Sequence, residues 1–101
     1  MNTAPHAPTA LIAEDEPLLS RGLVRLLAKL WPALRVVATV PDGPSAIQGC
    51  AELQPDIAFL DVRMPGCSGI DAAEAIVDDW PEQKPLPLIV FVTAFDRYAV
   101  D

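Results

Sequence analysis

Four short apolar runs recur along the chain, and each leads into a turn of polar or small residues. The run Ile57–Leu60 is continuous rather than alternating, which is typical of a strand buried on both faces of a parallel sheet. The pattern predicts strands at about residues 10–14, 34–40, 56–62 and 88–93.

The segments between these runs carry apolar residues at helical spacing. The first predicts a helix from about Pro17 to Leu30, which Trp31-Pro32 ends because a proline disfavours helix in the residue before it. A short second helix is predicted from Ser45 to about Leu53, with Gly49 weakening its middle. The leucines that define the first helix are Leu18, Leu19, Leu23, Leu26, Leu27 and Leu30.

A third helix is predicted from about Ile70 to Trp80, followed by a proline-rich connection from Pro81 to Pro87. Strands alternating with helices indicate an α/β fold, a parallel sheet with right-handed crossovers. The residues predicted to share the apolar face of the third helix are Ile70, Ala73, Ile76, Val77 and Trp80.

Length and composition indicate one small domain. The chain has 101 residues, of which 51% are hydrophobic, and this hydrophobic content argues against intrinsic disorder. We expect residues 1–9 to be a disordered tail because they contain Pro5 and Pro8 and no apolar core, and residues 10–101 to form the domain. Asp96–Asp101 could open one more helix.

Charge and cysteine content narrow the class of protein. A net charge of −7 disfavours nucleic-acid binding through this domain, because phosphate backbones need a basic surface. No apolar run approaches the length of a membrane span. Cys50 and Cys67 do not define a disulfide framework, so we expect free thiols and a cytoplasmic protein.

Carboxylates follow two of the predicted strands. Asp61 ends the third strand, and Glu14-Asp15-Glu16 follows the first. If these strands are parallel neighbours, Glu14, Asp15 and Asp61 converge at one end of the sheet, where open α/β sheets bind ligands. Three close carboxylates need a cation, and Mg²⁺ with its preference for oxygen ligands suits them.

Simpler interpretations exist for each of these residues. Asp61 could merely end a strand, and the acidic run could complement the N-terminus of the helix that begins at Pro17. Pro17 at the first helical position makes Glu16 the residue on the helix side, which leaves Glu14 and Asp15 for the pocket. Thr93, at the end of the fourth strand, could bond its own turn, or it could bond a phosphoryl oxygen with Ala94 leaving room for the group.

Taken together, these features resemble the receiver domain of two-component response regulators. The acidic pair of the family matches Glu14 and Asp15, its phosphoacceptor aspartate matches Asp61, and its Thr/Ser-Ala pair matches Thr93-Ala94. The loop after the acceptor matches residues 64–69. The segment from Thr93 to Val100 further resembles receivers of the LytTR class, whose output domain binds DNA.

The resemblance implies a doubly wound, flavodoxin-like parallel sheet with strand order 2-1-3-4-5. It also implies a regulatory domain rather than an enzyme, with Asp61 phosphorylated by a sensor histidine kinase. Mg²⁺ would be held by Glu14, Asp15, Asp61 and the backbone carbonyl of Arg63, with Thr93 and Ala94 contacting the phosphoryl group.

The chain departs from the family pattern at its end. The family carries a lysine followed by proline after a fifth strand, and Asp101 comes before that point, so we expect the receiver to be truncated to strand order 2-1-3-4. Without a fifth strand the apolar fourth strand would be an open edge. We therefore expect a homodimer through this strand and the segment Phe95–Asp101.

Two other functions compete with phosphoryl acceptance. The first is a receiver-like module that works by protein–protein contact without phosphorylation. The second is a hydrolase that uses Asp61 as a nucleophile, but the chain lacks the cap insertion that would face its substrate.

Overall fold

The computed structural model describes residues 7–92. All four predicted strands and all three predicted helices occur in this range, in the predicted order. Thr93, Ala94 and the segment Phe95–Asp101 lie outside the described residues, as does most of the expected N-terminal tail. The elements are β1 Thr9–Ala13, α1 Pro17–Leu30, β2 Arg35–Val40, α2 Gly43–Leu53, β3 Ile57–Asp61, α3 Gly69–Asp78 and β4 Leu88–Val92.

The strands form one parallel sheet in the order β2-β1-β3-β4, which confirms the predicted fold and strand order. The register between β1 and β3 pairs Ala13 with Leu60. The residues that follow, Glu14 and Asp61, therefore leave the sheet side by side. This pairing is what brings the two acidic segments together.

Helices cover both faces of the sheet. Successive strand residues point to opposite faces, so Leu11 and Leu60 join a buried cluster with α2 and α3. Ala10 and Ile57 join a second cluster that Leu27 of α1 packs against. The first of these clusters is the larger, and it fixes α2 and α3 against the sheet.

The helix α1 is held more loosely than its leucine pattern indicates. It spans the predicted residues, and the Trp31 N–H closes it by donating to the Leu27 carbonyl at 2.7 Å. No residue of α1 is fully buried, although Leu27 is half-buried against the sheet. Leu18 and Leu30 are 75% and 70% exposed.

The buried face of α3 differs from the predicted one. Ile76 is buried as expected, and so is Trp80, although α3 ends at Asp78, two residues before it; Ile70 and Val77 are 52% and 40% exposed. The rest of the buried face is made by small residues that the apolar pattern undervalued, namely Gly69 and Ala72. Gly69 leaves no room for a side chain, because the N-terminus of α3 packs directly onto backbone at the end of β3.

The helix α2 begins two residues before the predicted start. Asp42 is its N-cap, with the side chain accepting a hydrogen bond from the Ser45 N–H at 2.7 Å. Pro44 fits the first helical turn, where a missing N–H costs nothing. This cap satisfies an N–H of the first helical turn, which favours a helix that begins at Gly43 rather than at Ser45.

Two further sequence expectations can be compared with the structure. Cys50 and Cys67 are both free, and Cys50 is buried. None of the helices between residues 7 and 92 combines the length and the apolar character needed to cross a membrane.

Candidate functional site

Three carboxylates meet at the carboxyl end of the sheet. Glu14 and Asp15 follow β1, and Asp61 is the last residue of β3. One carboxylate oxygen from each of the three lies within 4.8 Å of the others. The convergence predicted from the sequence is confirmed.

Asp61 lies at the base of this cluster. It is 8% exposed and is the one buried charged side chain in residues 7–92. The Arg63 N–H faces one of its carboxylate oxygens at 3.4 Å, a long hydrogen bond. Glu14 is half-buried and Asp15 is exposed, so the cluster opens from Asp61 towards solvent.

Glu16 lies at the start of α1, as the position of Pro17 led us to predict. It is the N-cap residue of α1, although its side chain makes no capping hydrogen bond. Its N–H instead donates to the carboxylate of Glu14 at 3.0 Å. The acidic run is therefore divided, with Glu14 and Asp15 in the cluster and Glu16 at the helix.

The pKa of Glu14 is shifted by its position in this cluster. The pKa of Glu14 is raised from 4.5 to about 7, chiefly by burial and in part by the nearby charge of Asp61, against the lowering effect of the Glu16 N–H. An acid whose pKa is raised in this way prefers to be neutral unless a cation is present.

We expect the metal-free protein to lose stability as the pH rises. Between about pH 4.5 and 7 the unfolded chain ionises Glu14 while the folded chain keeps it protonated, so the free energy of unfolding falls through this window. Glu14→Gln removes that ionisation. The difference in melting temperature, variant minus wild type, should therefore increase as the pH rises through this window. Thermal unfolding in the presence of a chelator measures it.

The matched control is Glu82→Gln, which removes a glutamate from the exposed connection between α3 and β4. Its pH dependence should follow that of the wild type. A Glu14→Gln curve that stays parallel to the wild-type curve at every pH would contradict the raised pKa.

The loop after Asp61 is held close to the end of β3. The Gly69 N–H donates to the Val62 carbonyl at 2.8 Å, and Ser68 caps α3 by accepting from the Asp71 N–H at 3.0 Å. A Cβ on Gly69 would collide with the carbonyl of Asp61. Sequence reasoning included Gly69 in the loop but missed this contact, for which the only local signal was a glycine directly after a capping serine.

The donor set fits a hard divalent cation. All three side chains offer carboxylate oxygens, which lie within 4.8 Å of one another. Mg²⁺ is commonly held by one or two carboxylates together with waters and phosphate oxygens. Thr93 and Ala94, the predicted phosphoryl contacts, lie outside the described residues, and Arg63 lies in the loop just after Asp61.

Comparison with known proteins supports the same interpretation. Residues 10–100 match the family model described as response regulator receiver domain. A response regulatory protein of Vibrio cholerae is 49% identical over 92 residues, which is 91% of this chain and 34% of the relative. The transcriptional regulatory protein BtsR of Salmonella typhi is 39% identical over 90 residues, 89% of this chain and 35% of that protein.

Solved structures agree with the sequence relatives. The signal receiver domain of NarL from Mycobacterium tuberculosis superposes with a TM-score of 0.77 at 32% identity, covering 94% of this chain and 73% of that domain. The chain spans about a third of the length of the two curated relatives. The fold, the acidic residues at the strand ends and these matches together show that the chain belongs to the receiver domains of two-component response regulators.

Proposed function

We propose that Asp61 is the phosphoacceptor and receives a phosphoryl group from a sensor histidine kinase. The observation that carries this proposal is the position of Asp61, a buried carboxylate at the base of an acidic cluster that opens to solvent. Receiver domains act as regulatory partners of histidine kinases, and the site described above is where such chemistry would occur.

The transfer needs little covalent chemistry from the protein. A carboxylate oxygen of Asp61 bonds to phosphorus while the phosphorus–nitrogen bond of the kinase phosphohistidine breaks, and the imidazole keeps the electron pair. Glu14, Asp15, Asp61 and the carbonyl of Arg63 would hold Mg²⁺, which neutralises charge on the phosphoryl oxygens. Thr93 and Ala94 would contact the phosphoryl group, as the sequence resemblance implies.

The output of this domain is proposed to be control of transcription. The Salmonella relative is a transcriptional regulatory protein about three times as long as the matched segment. The resemblance of residues 93–100 to LytTR-class receivers favours a DNA-binding output domain of that class in a cytoplasmic regulator. The fifth strand and its lysine, expected beyond Asp101, stay a prediction.

Metal binding provides the first test. Mg²⁺ should bind the wild-type chain, and Asp15→Asn or Asp61→Asn should weaken binding by more than the roughly tenfold that loss of an outer-shell partner costs. Titration followed by NMR amide shifts measures this. Asp79→Asn is the matched control, because Asp79 is exposed at the other end of α3.

A phosphoryl analogue separates this function from a module that works by contact alone. Beryllofluoride with Mg²⁺ should bind at Asp61 and shift the amide resonances of residues 61–69. A chain that binds Mg²⁺ weakly but ignores beryllofluoride would favour the interaction module instead.

We further propose that this chain forms a homodimer through β4. Within residues 7–92, β4 is an edge of the sheet, and Leu88 and Phe91 are 61% and 46% exposed there. An open edge of apolar residues presents unpaired backbone groups to a second copy. The segment Phe95–Asp101, which the sequence argument also placed in this interface, lies outside the described residues.

Sedimentation at micromolar concentration should show a dimer of the 101-residue chain. Leu88→Lys should shift it to the monomer because a charge would enter the interface. Leu30→Lys is the matched control, since Leu30 is 70% exposed at the end of α1, which leads into β2 at the opposite edge of the sheet. A monodisperse wild-type monomer would rule the dimer out.

A further inference from the structure

Two loops at the carboxyl end of the sheet touch one another. The first is the turn that enters α2, and the second is the loop between Asp61 and α3. The Gly43 N–H donates a hydrogen bond to the Pro65 carbonyl at 3.1 Å. This bond joins residues 22 positions apart in the sequence.

No side chain fits between these loops at Gly43. A Cβ there would collide with the sulfur of Cys67 and would lie 2.6 Å from its carbonyl oxygen. The carbonyl oxygen is backbone, so rotating a side chain cannot relieve the contact. Gly43 therefore lets the two backbones approach as closely as they do.

The second loop contributes a reciprocal contact. Gly66 has a φ of +87°, which few residues other than glycine adopt. A Cβ on Gly66 would lie 2.5 Å from Cδ and 2.8 Å from Cγ of Pro44. In each loop, therefore, a glycine packs against a larger residue of the other loop: Gly43 against Cys67, and Gly66 against Pro44. We name the four residues Gly43, Pro44, Gly66 and Cys67 the glycine interlock.

The α2 side of the interlock is rigidly anchored. Asp42 caps the helix through the Ser45 N–H, and Ala46 and Cys50 are fully buried in the core. The other loop is joined to β3 at Asp61 and to α3 at Gly69, and Met64 between them packs against the same core. A fixed helix start therefore supports the middle of the loop that begins at the proposed phosphoacceptor.

We propose that Gly43 and Pro44 are positioning residues for the metal site. They act through the loop, holding residues 63–67 so that Arg63, whose N–H faces the Asp61 carboxylate at 3.4 Å, keeps its place beside Asp61. This inference rests on the proposed function, because Arg63 matters only if Mg²⁺ binds at the cluster. Neither residue contributes a ligand atom itself.

Gly43→Ala provides the test, with two matched glycine-to-alanine controls. Gly22 lies on exposed helix with nothing within 4 Å of a new Cβ. Gly49 lies on α2, where a new Cβ would meet the Leu11 side chain at 2.7 Å, away from the loop. Gly49→Ala therefore perturbs helix packing without touching the interlock.

Melting temperature with and without Mg²⁺ separates positioning from simple stability. The wild type, Gly22→Ala and Gly49→Ala should gain the same increment from Mg²⁺. Gly43→Ala should lose most of that increment, with Mg²⁺ affinity by NMR titration about tenfold weaker, as for loss of an outer-shell partner. Equal loss of melting temperature with and without Mg²⁺, at unchanged affinity, would show that Gly43 is structural only.

Pro44→Ala keeps the test decisive if Gly43→Ala does not fold. It removes the ring that packs on Gly66 but leaves an exposed helical position that alanine accepts. It should weaken Mg²⁺ binding, and wild-type affinity in this variant would overturn the inference. If the wild type does not bind Mg²⁺, the proposed function is wrong. If the wild type binds Mg²⁺ and the variants bind it equally well, only the positioning role of Gly43 and Pro44 is wrong.

Discussion

Replacing Asp61 with asparagine should abolish phosphorylation of the protein by acetyl phosphate and Mg²⁺. The substitution keeps the shape of the side chain but removes the nucleophilic carboxylate oxygen. The wild type should gain one acid-labile phosphoryl group, detected by intact mass and assigned by borohydride trapping.

Asp71→Asn is the control for this experiment, since it removes an exposed carboxylate from the first turn of α3. It should leave phosphorylation at the wild-type level. Two outcomes would contradict the proposed acceptor. The Asp61→Asn protein could be labelled at another carboxylate, or the peptide masses could assign the wild-type label to a different residue.

Gly69→Ala should be strongly destabilising. The new Cβ would collide with the Asp61 carbonyl oxygen and would lie 2.9 Å from the Asp61 carbonyl carbon and 3.2 Å from Cα of Val62. All three atoms are backbone, so either α3 or the end of β3 must move. Forcing an extra carbon into packed structure costs about 1–3 kcal/mol and occasionally more.

Gly22→Ala is the matched control, and it should act in the opposite direction. Nothing lies within 4 Å of its new Cβ, and alanine stabilises an exposed helix interior by about 0.5–1 kcal/mol over glycine. Each kcal/mol shifts the melting temperature of a domain this size by roughly 4–8 °C, so thermal unfolding resolves both changes. Similar melting temperatures for the two variants would contradict the close packing at Gly69.

The predicted elements were found because their signals are local. Predominantly apolar runs identified all four strands, and Pro17 and Trp31-Pro32 marked the observed ends of α1. The start of α2 was placed two residues late, because a capping aspartate and a turn aspartate look alike in sequence. The face of α3 was misjudged at Ile70 and Val77, because apolar character was taken as evidence of burial.

The acidic site was predictable for a different reason. Carboxylates directly after apolar strands must lie at one edge of a parallel sheet, so only the strand order was needed to bring them together. In the observed order β2-β1-β3-β4, the strands β1 and β3 are neighbours. The pairing of Ala13 with Leu60 then places Glu14 beside Asp61.

The sequence by itself determined the α/β architecture, the order of elements and the three carboxylates of the site. Each of these follows from short-range patterns or from the rule that parallel strands end at a common edge. Only the tertiary structure decided that Gly43 and Gly66 meet the neighbouring loop and that Gly69 lies against Asp61. These contacts bring together backbone atoms of residues that are apart in sequence. Apart from the capping serine before Gly69, no local pattern distinguishes these glycines from the exposed Gly22.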